Sequence, residues 1–314
     1  MTFVADRTYQ LVIAVCRLLF RALGLRFDVR GAEHVPAAGP AVLAANHVSF
    51  LDFMFVGLAG TRRGRFVRFL AIEWVFRAPG VGAAMRAMGH IAVDRAHGEV
   101  ALRNAVHAVR AGELVGVFPE ATISRAWTLK EFRPGAAALA IREQVPLVPV
   151  VVWGGQRVLT ADGRVSIRRG KTITLLVGQP LRPPPTATVE DVGADLRARL
   201  DALLVEAMDS YPDRPRNSRD RWWLPASRGG TAPTPDVAAL LDGEAVRRVD
   251  ARAAAGAADS SHHGCAGRAT CAPGIPSLPA QRVSGPRRGR RRCPPRSSCC
   301  RPWSRRRRPR SSGR

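Results

Sequence analysis

The stretch "AVLAANHVSFLD", residues 41–52, joins two sequence patterns that together decide the fold. Ala41–Ala45 is a continuous apolar run, which is typical of a strand covered on both faces. Ser49 and Asp52 follow with the Ser-x-x-Asp spacing of a capping box, which predicts a helix over Phe50–Leu58. A buried strand that leads at once into a helix indicates an α/β domain.

The same alternation of short apolar runs and helical patterns continues along the chain. Further strands are expected at Phe66–Ile72, Ile91–Val93, Leu114–Phe118 and Leu147–Val152. Further helices are expected at Trp74–Met88, Gly98–Ala111, Pro134–Arg142 and Val189–Met208, and a hairpin at residues 161–178. The predicted fold class is therefore α/β, with a largely parallel sheet flanked by helices.

The N-terminal segment predicts a helix that lies in a membrane interface. Leu11 to Phe27 is apolar but contains three arginines, so it falls short of the roughly 20 nearly uncharged residues that a spanning helix needs. Gln10, Ala14, Arg17 and Arg21 recur at helical spacing and form a narrow polar stripe. Residues 1–27 are assigned to an amphipathic membrane-associated helix, and an ordinary helix packed on its own domain is the alternative.

Positive charge is concentrated at the C-terminal end. Of the formal net charge of +24, residues 251–314 contribute sixteen basic residues against one acidic residue. This tail is rich in Arg and Pro and lacks periodicity, so it is expected to be disordered. The rest of the chain remains basic, which favours anionic partners such as phosphate-bearing substrates or a lipid surface.

The remaining boundaries follow from pattern and cysteine content. Residues 28–215 are assigned to the α/β domain and residues 216–250 to a poorly defined extension. Five of the six cysteines lie in the tail, so the body has no disulfide framework and is typical of a cytosolic protein.

One histidine stands at the predicted end of a strand, where α/β sheets bind ligands. His47 follows Ala41–Ala45, and Asp52 comes five residues later. In mid-helix that spacing separates two side chains by about 140°, so the two can meet only across the helix start. His47 and Asp52 are therefore either a proton-handling pair or a structural histidine beside a helix cap.

Three more segments bring polar side chains to the same end of the sheet. They follow two predicted strands and precede the helix that begins near Pro134. They supply Asp94, Arg95, Glu120, Thr122, Ser124, Arg125, Lys130 and Arg133. Together they indicate a His–Asp pair beside several cations and a helix N-terminus able to receive phosphate.

Four segments carry a family resemblance. "NHVSFLD" (46–52), "GHIAVDR" (89–95), "FPEATIS" (118–124) and "VPLVPV" (145–150) resemble the four ordered blocks of the glycerolipid acyltransferase family. Its best-known members acylate lysophosphatidic acid or glycerol 3-phosphate. The resemblance covers about residues 30–152 and continues more faintly to about residue 211.

The resemblance implies a role for each matching residue. His47 is implied to be the general base, with Asp52 orienting its ring, and a thioester donor needs no enzyme nucleophile. Arg95 is implied to bind the acceptor phosphate, and Glu120 and Thr122 to shape the acceptor site. Ser49 as a covalent nucleophile is the rival assignment, which its capping position makes unnecessary.

The third block departs from the family pattern Phe-Pro-Glu-Gly-Thr-Arg-Ser. This chain has Ala121 for the glycine and Ile123 for the arginine. Loss of that arginine removes a phosphate ligand, and Arg125, Lys130 and Arg133 are the candidates to replace it. The departure bears on the acceptor more than on the reaction.

The implied function is transfer of a fatty acyl group from acyl-CoA or acyl carrier protein to a lysophospholipid hydroxyl, converting lysophosphatidic acid to phosphatidic acid. No metal or other cofactor is expected, and no specific nucleic-acid partner. The expected location is the cytoplasmic face of the plasma membrane, as a peripheral or monotopic protein on the lipid surface. The alternatives are the same chemistry on another lyso-lipid or glycolipid, or a non-catalytic basic adaptor for membrane or nucleic acid. Chain length, donor and oligomeric state stay open.

Overall fold

The computed structural model describes residues 2–93, 98–244 and 247. The helices are α1 Thr2–Ala22, α2 Asp52–Arg62, α3 Glu73–Arg77, α4 Val81–Ala87, α5 Gly98–Arg110, α6 Gly135–Glu143 and α7 Val189–Asp209. The strands are β1 Arg26–Arg30, β2 Ala41–Ala45, β3 Val67–Ile72, β4 Ile91–Val93, β5 Leu114–Val117, β6 Leu147–Trp153 and β7 Thr172–Val177. Residues 235–244 are also helical. The predicted tail at residues 251–314 lies outside the described residues.

The seven strands form one sheet in the order β1-β7-β6-β2-β5-β3-β4. Every neighbouring pair is parallel except β6 with β7, which confirms the predicted α/β class with a largely parallel sheet. β2 lies at the centre, with the bounds that its apolar run predicted, and all five of its residues are buried. The register pairs Ala44 with Val117, so the loops that follow β2 and β5 leave the sheet side by side.

The sheet separates two hydrophobic layers. Val42 and Ala44 belong to the layer that also contains Leu200 of α7, whereas Leu43 belongs to the layer that contains Phe55 of α2. Successive side chains of a strand point to opposite faces, so one short apolar run supports both layers. The sheet edge that carries the loop after β2 is thus fixed from both sides.

The predicted hairpin at residues 161–178 is wrong. β7 pairs in parallel with β1 and antiparallel with β6, and within residues 161–170 only the isolated bridge from Leu159 to Val165 forms. All six residues of β7 are buried, and such a strand needs a neighbour on each edge. β1, which the sequence pattern did not indicate, provides one of them.

The single helix expected at Trp74–Met88 is in fact two helices, α3 and α4. Ala78 adopts an extended conformation, and Gly80 has a φ of 75°, so the chain cannot continue helically between them. Pro79 lies at this break, as is common shortly after a helix end.

α1 is apolar on two opposite faces. Tyr9 and Phe20 are buried against the domain, at 6% and 4% exposure. Leu11, Val15 and Leu18 on the other side are 65%, 58% and 69% exposed. The packed helix and the amphipathic helix that the sequence left as alternatives therefore describe different faces of the same element.

Candidate active site

The side chain of Asn46 extends the hydrogen-bonded pairing of β2 beyond the end of the strand. Asn46 donates from Nδ2 to the Val152 carbonyl at 3.0 Å and accepts from the Val152 N–H at 2.7 Å. This amide continues the pairing between β2 and β6 by one more step and fixes the path of the chain into His47. The sequence analysis gave the Asn46 side chain no role, although an amide at the end of a central strand is a signal for such pairing.

His47 and Asp52 form a hydrogen-bonded pair across the start of α2. His47 Nδ1 lies 3.0 Å from Asp52 Oδ2, and the same oxygen accepts from the N–H groups of Val48 at 2.6 Å and Ser49 at 2.7 Å. Because this oxygen acts as an acceptor, the ring proton lies on Nδ1 and Nε2 keeps its lone pair. The His47 side chain is 18% exposed, and no hydrogen bond joins its Nε2 to another described residue.

Burial sets the electrostatics of Asp52. The carboxyl is fully buried, which raises its pKa, while the His47 ring and the amides of Ser49 and Val48 oppose that shift. Its second oxygen, Oδ1, has no hydrogen-bond partner among the described residues. A buried carboxylate of this kind gains strongly from a positive charge beside it, such as an imidazolium.

Gly155 allows the Asp52 carboxylate to lie where it does. A Cβ at position 155 would lie 2.8 Å from Asp52 Oδ1 and 3.0 Å from Ser49 Cβ, closer than real Cβ contacts come. Gly155 follows β6, so this strand supplies the back wall of the His–Asp pair. The sequence analysis missed it; two consecutive glycines directly after a buried strand were the available signal.

Ser49 has a structural position. Its hydroxyl donates to the Leu159 carbonyl at 2.6 Å and accepts from the Leu51 N–H at 3.2 Å. The Ser49 N–H donates to Asp52, but α2 begins at Asp52 with Leu51 as its N-cap, so the predicted capping box at the start of a helix from Phe50 is not formed. A hydroxyl committed to the main chain in this way, on a buried residue, is not arranged as a nucleophile.

Glu120 lies beneath His47 and holds its main chain. Its Oε1 accepts from the His47 N–H at 2.8 Å, and its Oε2 accepts from the Lys130 N–H at 3.0 Å. The Ser124 N–H donates to the His47 carbonyl at 2.7 Å, so both polar groups of the His47 backbone are held by the loop after β5. Burial raises the pKa of Glu120 to about 7, although the two amides and the Lys130 charge act to lower it.

Phe118 fixes the rotation of the His47 ring. The two rings stack with centroids 4.2 Å apart and planes 20° apart, and Phe118 stacks in turn on Phe69 at 6.0 Å. Together with the contact to Asp52, this stacking leaves the imidazole one orientation at the edge of the sheet. Phe118 is a second positioning residue that the sequence analysis did not identify.

The structure brings three of the predicted acceptor residues together, Thr122, Arg125 and Lys130. Lys130 Nζ donates to the Thr122 hydroxyl, and Lys130 and Arg125 both form ion pairs with Asp242. The Arg133 side chain is exposed and makes no ion pair with the described residues. Arg95 lies outside the described residues.

Two residues in the loop after β5 have left-handed backbone conformations. Ala121, which replaces the usual glycine, has a φ of 59°, and Trp127 has the same value. Left-handed conformations in residues with a Cβ cost about 1 kcal/mol and cluster near functional sites. Ile123, which replaces the arginine, is buried at 7% exposure.

These features define a class of protein: an α/β domain in which a carboxylate-oriented histidine stands at the sheet edge beside a loop with cations. Residues 26–153, less than half of the chain, match the family model described as Acyltransferase. The resemblance to the glycerolipid acyltransferase family is confirmed for these residues.

Curated relatives give the more particular comparison. The chain is 28% identical over 159 residues to 1-acyl-sn-glycerol-3-phosphate acyltransferase BAT2, chloroplastic, of Brassica napus, covering 49% of this chain and 44% of the relative. It is 36% identical over 137 residues to 1-acyl-sn-glycerol-3-phosphate acyltransferase alpha of Homo sapiens, covering 41% and 46%. The chain thus spans just under half the length of these two relatives.

One solved structure shares the fold. The crystal structure of the 1-acyl-sn-glycerophosphate (LPA) acyltransferase PlsC from Thermotoga maritima aligns with a TM-score of 0.56 at 22% identity, covering 68% of this chain and 86% of that chain. At this identity the comparison supports the α/β architecture.

Proposed function

We propose that this chain transfers a fatty acyl group from a thioester, acyl-CoA or acyl carrier protein, to the hydroxyl of lysophosphatidic acid, giving phosphatidic acid. The single observation that carries the proposal is the 3.0 Å contact between His47 Nδ1 and the buried Asp52. That contact leaves Nε2 as a base at the carboxyl edge of the sheet.

His47 acts as the general base in this mechanism. Its Nε2 takes the proton of the acceptor hydroxyl as that oxygen attacks the thioester carbonyl. Collapse of the tetrahedral intermediate forms the ester and expels the thiolate, which receives the proton from the imidazolium. Asp52 stabilises the imidazolium and keeps the tautomer in which Nε2 can accept.

Glu120 and Phe118 act as positioning residues. Glu120 was expected to shape the acceptor site, but both of its oxygens accept from backbone N–H groups and it is only 5% exposed. We assign it to holding His47 and the Lys130 segment at a fixed distance. Precise placement of a base relative to a bound substrate accounts for a large part of catalysis.

A groove between α1 and α2 suits the acyl chain. It is partly open to solvent and is lined mainly by apolar side chains. Phe53 and Met54, which follow Asp52 directly in α2, lie in its wall. His90 also lines it, and burial together with the Arg68 charge lowers the pKa of His90 to about 4, so the ring is neutral at pH 7.

The outer face of α1 supports attachment to a lipid surface. Among the described residues, no helix is both long enough and apolar enough to cross a bilayer. Leu11, Val15 and Leu18 nevertheless expose a continuous apolar stripe at helical spacing, and Trp74 of α3 is 56% exposed. We propose that this face lies in the interface of the cytoplasmic leaflet, as a peripheral helix, beside the groove that takes the acyl chain.

The test uses the full chain with two histidine variants. Wild type, His47→Ala and His107→Ala, whose side chain is exposed on α5, are assayed with acyl-CoA and with acyl carrier protein. The acceptors are lysophosphatidic acid, glycerol 3-phosphate and lysophosphatidylcholine. His47→Ala should lose about 10³-fold or more in turnover with an unchanged circular dichroism spectrum, because a general base contributes about 10²–10⁴-fold. His107→Ala should match the wild type.

Two outcomes decide the proposal. Wild-type turnover in folded His47→Ala would remove the assigned base. Preference for lysophosphatidylcholine would keep the reaction and replace the acceptor.

Arg95→Ala should mainly raise KM for the phosphate-bearing acceptor, and an unchanged KM would remove Arg95 from acceptor binding.

A further inference from the structure

Two cations of the loop after β5 share one carboxylate from a distant part of the chain. Arg125 Nη1 and Lys130 Nζ form ion pairs with opposite oxygens of Asp242. The exposed fractions of the three side chains are 14%, 27% and 14%, so the contact is partly shielded from water. Asp242 thus offsets one of the two positive charges that the sequence assigned to the acceptor, and Arg125 also pairs with the exposed Asp162 at 2.9 Å.

The groups around Asp242 are those that bind a phosphate monoester. Arg125 offers a guanidinium, Lys130 offers an ammonium, and the Thr122 hydroxyl lies in contact with Lys130 Nζ. Arginine and lysine form their strongest hydrogen bonds with carboxylate and phosphate oxygens. The Asp242 carboxylate, whose two oxygens bind Arg125 and Lys130, therefore occupies the position that two oxygens of a phosphate would take.

This anion site is rigidly linked to His47. Lys130 and His47 donate their backbone N–H groups to the same carboxylate, that of Glu120. Arg125 follows directly on Ser124, whose N–H donates to the His47 carbonyl. An anion held by these cations is consequently at a fixed distance from the base.

Asp242 belongs to a segment that is weakly attached by apolar packing. It lies on helical residues 235–244, beyond the matched domain at residues 26–153. Ala238 is the buried hydrophobic residue of this segment, whereas Val237, Leu240 and Leu241 are exposed at 48%, 71% and 39%. With so little apolar area buried, the ion pairs of Asp242 are a main part of what holds the segment in place.

We propose that Asp242 is an internal competitor that fills the phosphate site of Arg125, Lys130 and Thr122, and that the phosphate of the acceptor must displace it. Residues 235–244 act as a strap over the site and select for acceptors anionic enough to compete. The proposal rests on the proposed function only in naming the acceptor. If the strap-closed form exceeds the open form by about tenfold, the apparent affinity for an anion is lowered by about the same factor.

The test compares two substitutions on the same helix. Asp242→Asn and Asp236→Asn remove the same charge, and Asp236 is exposed and makes no ion pair with the described residues. Binding of glycerol 3-phosphate and inorganic phosphate to the full-length protein is measured by titration calorimetry. Asp242→Asn should bind both about tenfold more tightly than the wild type and Asp236→Asn. Equal affinity in the two variants would overturn the proposal.

Two further measurements localise the effect. Adding Arg125→Ala to Asp242→Asn should abolish the gain, and a retained gain would overturn the assignment of the site. In the wild type, glycerol 3-phosphate should raise hydrogen exchange in residues 235–244, because the strap is displaced. Unchanged or slower exchange would contradict displacement. These measurements do not depend on acyl transfer, so a protein that binds anions this way and shows no turnover would refute the proposed function alone.

Discussion

The histidine side and the cation side of the candidate active site are held in opposite ways. On the histidine side, the residues that hydrogen-bond to His47, such as Asp52 and Glu120, all lie in the matched domain. On the cation side, Arg125 and Lys130 are held by Asp242, which follows that domain by almost ninety residues. The proposed proton-transfer geometry is therefore built into the α/β fold, whereas the proposed acceptor side depends on a separable segment.

Asp52→Asn, on the histidine side, should reduce kcat more than the other substitutions below. The amide lacks the charge that stabilises the imidazolium and can present an N–H to Nδ1, so kcat should fall by about 10³–10⁴-fold, as in hydrolytic triads. Steady-state kinetics with both substrates saturating measures the loss. Asp195→Asn, in an exposed pair with Arg199, is the control and should keep full activity. A folded Asp52→Asn within tenfold of the wild type would contradict the assigned role.

The pH dependence of the free energy of unfolding should report the raised pKa of Glu120. Burial raises its pKa from 4.5 to about 7, so between these pH values the folded protein keeps a proton that the unfolded chain has released. The contribution of Glu120 to the free energy of unfolding therefore falls as pH rises from about 4.5 to about 7, by about 3 kcal/mol. His90, whose pKa is lowered to about 4, contributes the opposite trend in the wild type and in the variant alike. The difference in free energy of unfolding between the wild type and Glu120→Gln, measured in urea from pH 4 to pH 8, should therefore show this decrease.

The control for this measurement is Glu131→Gln, which removes an exposed carboxyl from the same loop. It should keep the wild-type dependence on pH. If Glu120→Gln kept that dependence as well, the difference would not change with pH, and the tight burial of Glu120 beneath His47 would have no effect on its proton.

Gly155→Ala should displace the Asp52 carboxylate without removing a functional group of the His–Asp pair. The new Cβ would meet Asp52 Oδ1 at 2.8 Å and shift the carboxylate, so kcat should fall by about tenfold or more with little change in KM. Gly193→Ala in α7, where a Cβ meets nothing within 4 Å, should leave kcat unchanged. Equal kcat in the two variants would mean that Asp52 tolerates displacement.

Ala121→Gly should have the smallest effect, on stability. Its φ of 59° favours glycine, but the more flexible unfolded chain offsets part of the gain, so the free energy of unfolding should rise by about 0.5 kcal/mol. Ala138→Gly, inside α6, should lower it by about 1 kcal/mol. Thermal unfolding of both variants measures the difference, and a loss of stability in Ala121→Gly would show that this loop is not strained.

Local patterns predicted the parts of the site that depend on neighbouring residues. The bounds of β2 follow from five apolar residues between Pro40 and Asn46, and the structure reproduces them. The meeting of His47 and Asp52 follows from the helix start between them, and they lie 3.0 Å apart. Both results need only the geometry of one strand and one helical turn.

The parts that the sequence did not predict depend on residues far apart in the chain. The contact of Glu120 with the His47 N–H requires the register of β2 against β5, which no pattern within either strand specifies. Asp242 lies 117 and 112 residues from Arg125 and Lys130. The hairpin prediction failed for the same reason, because β7 finds its second neighbour in β1, near the other end of the domain.

The two-sided character of α1 has a practical consequence for anyone preparing this protein. A truncation at residue 22 would remove the leucines that face outward, but it would also strip Tyr9 and Phe20 from the interior and uncover Phe55, which packs against Phe20. Such a fragment would expose other apolar side chains in place of the leucines and would gain little in solubility. Detergent or lipid added to the intact polypeptide is the sounder route to a monodisperse sample.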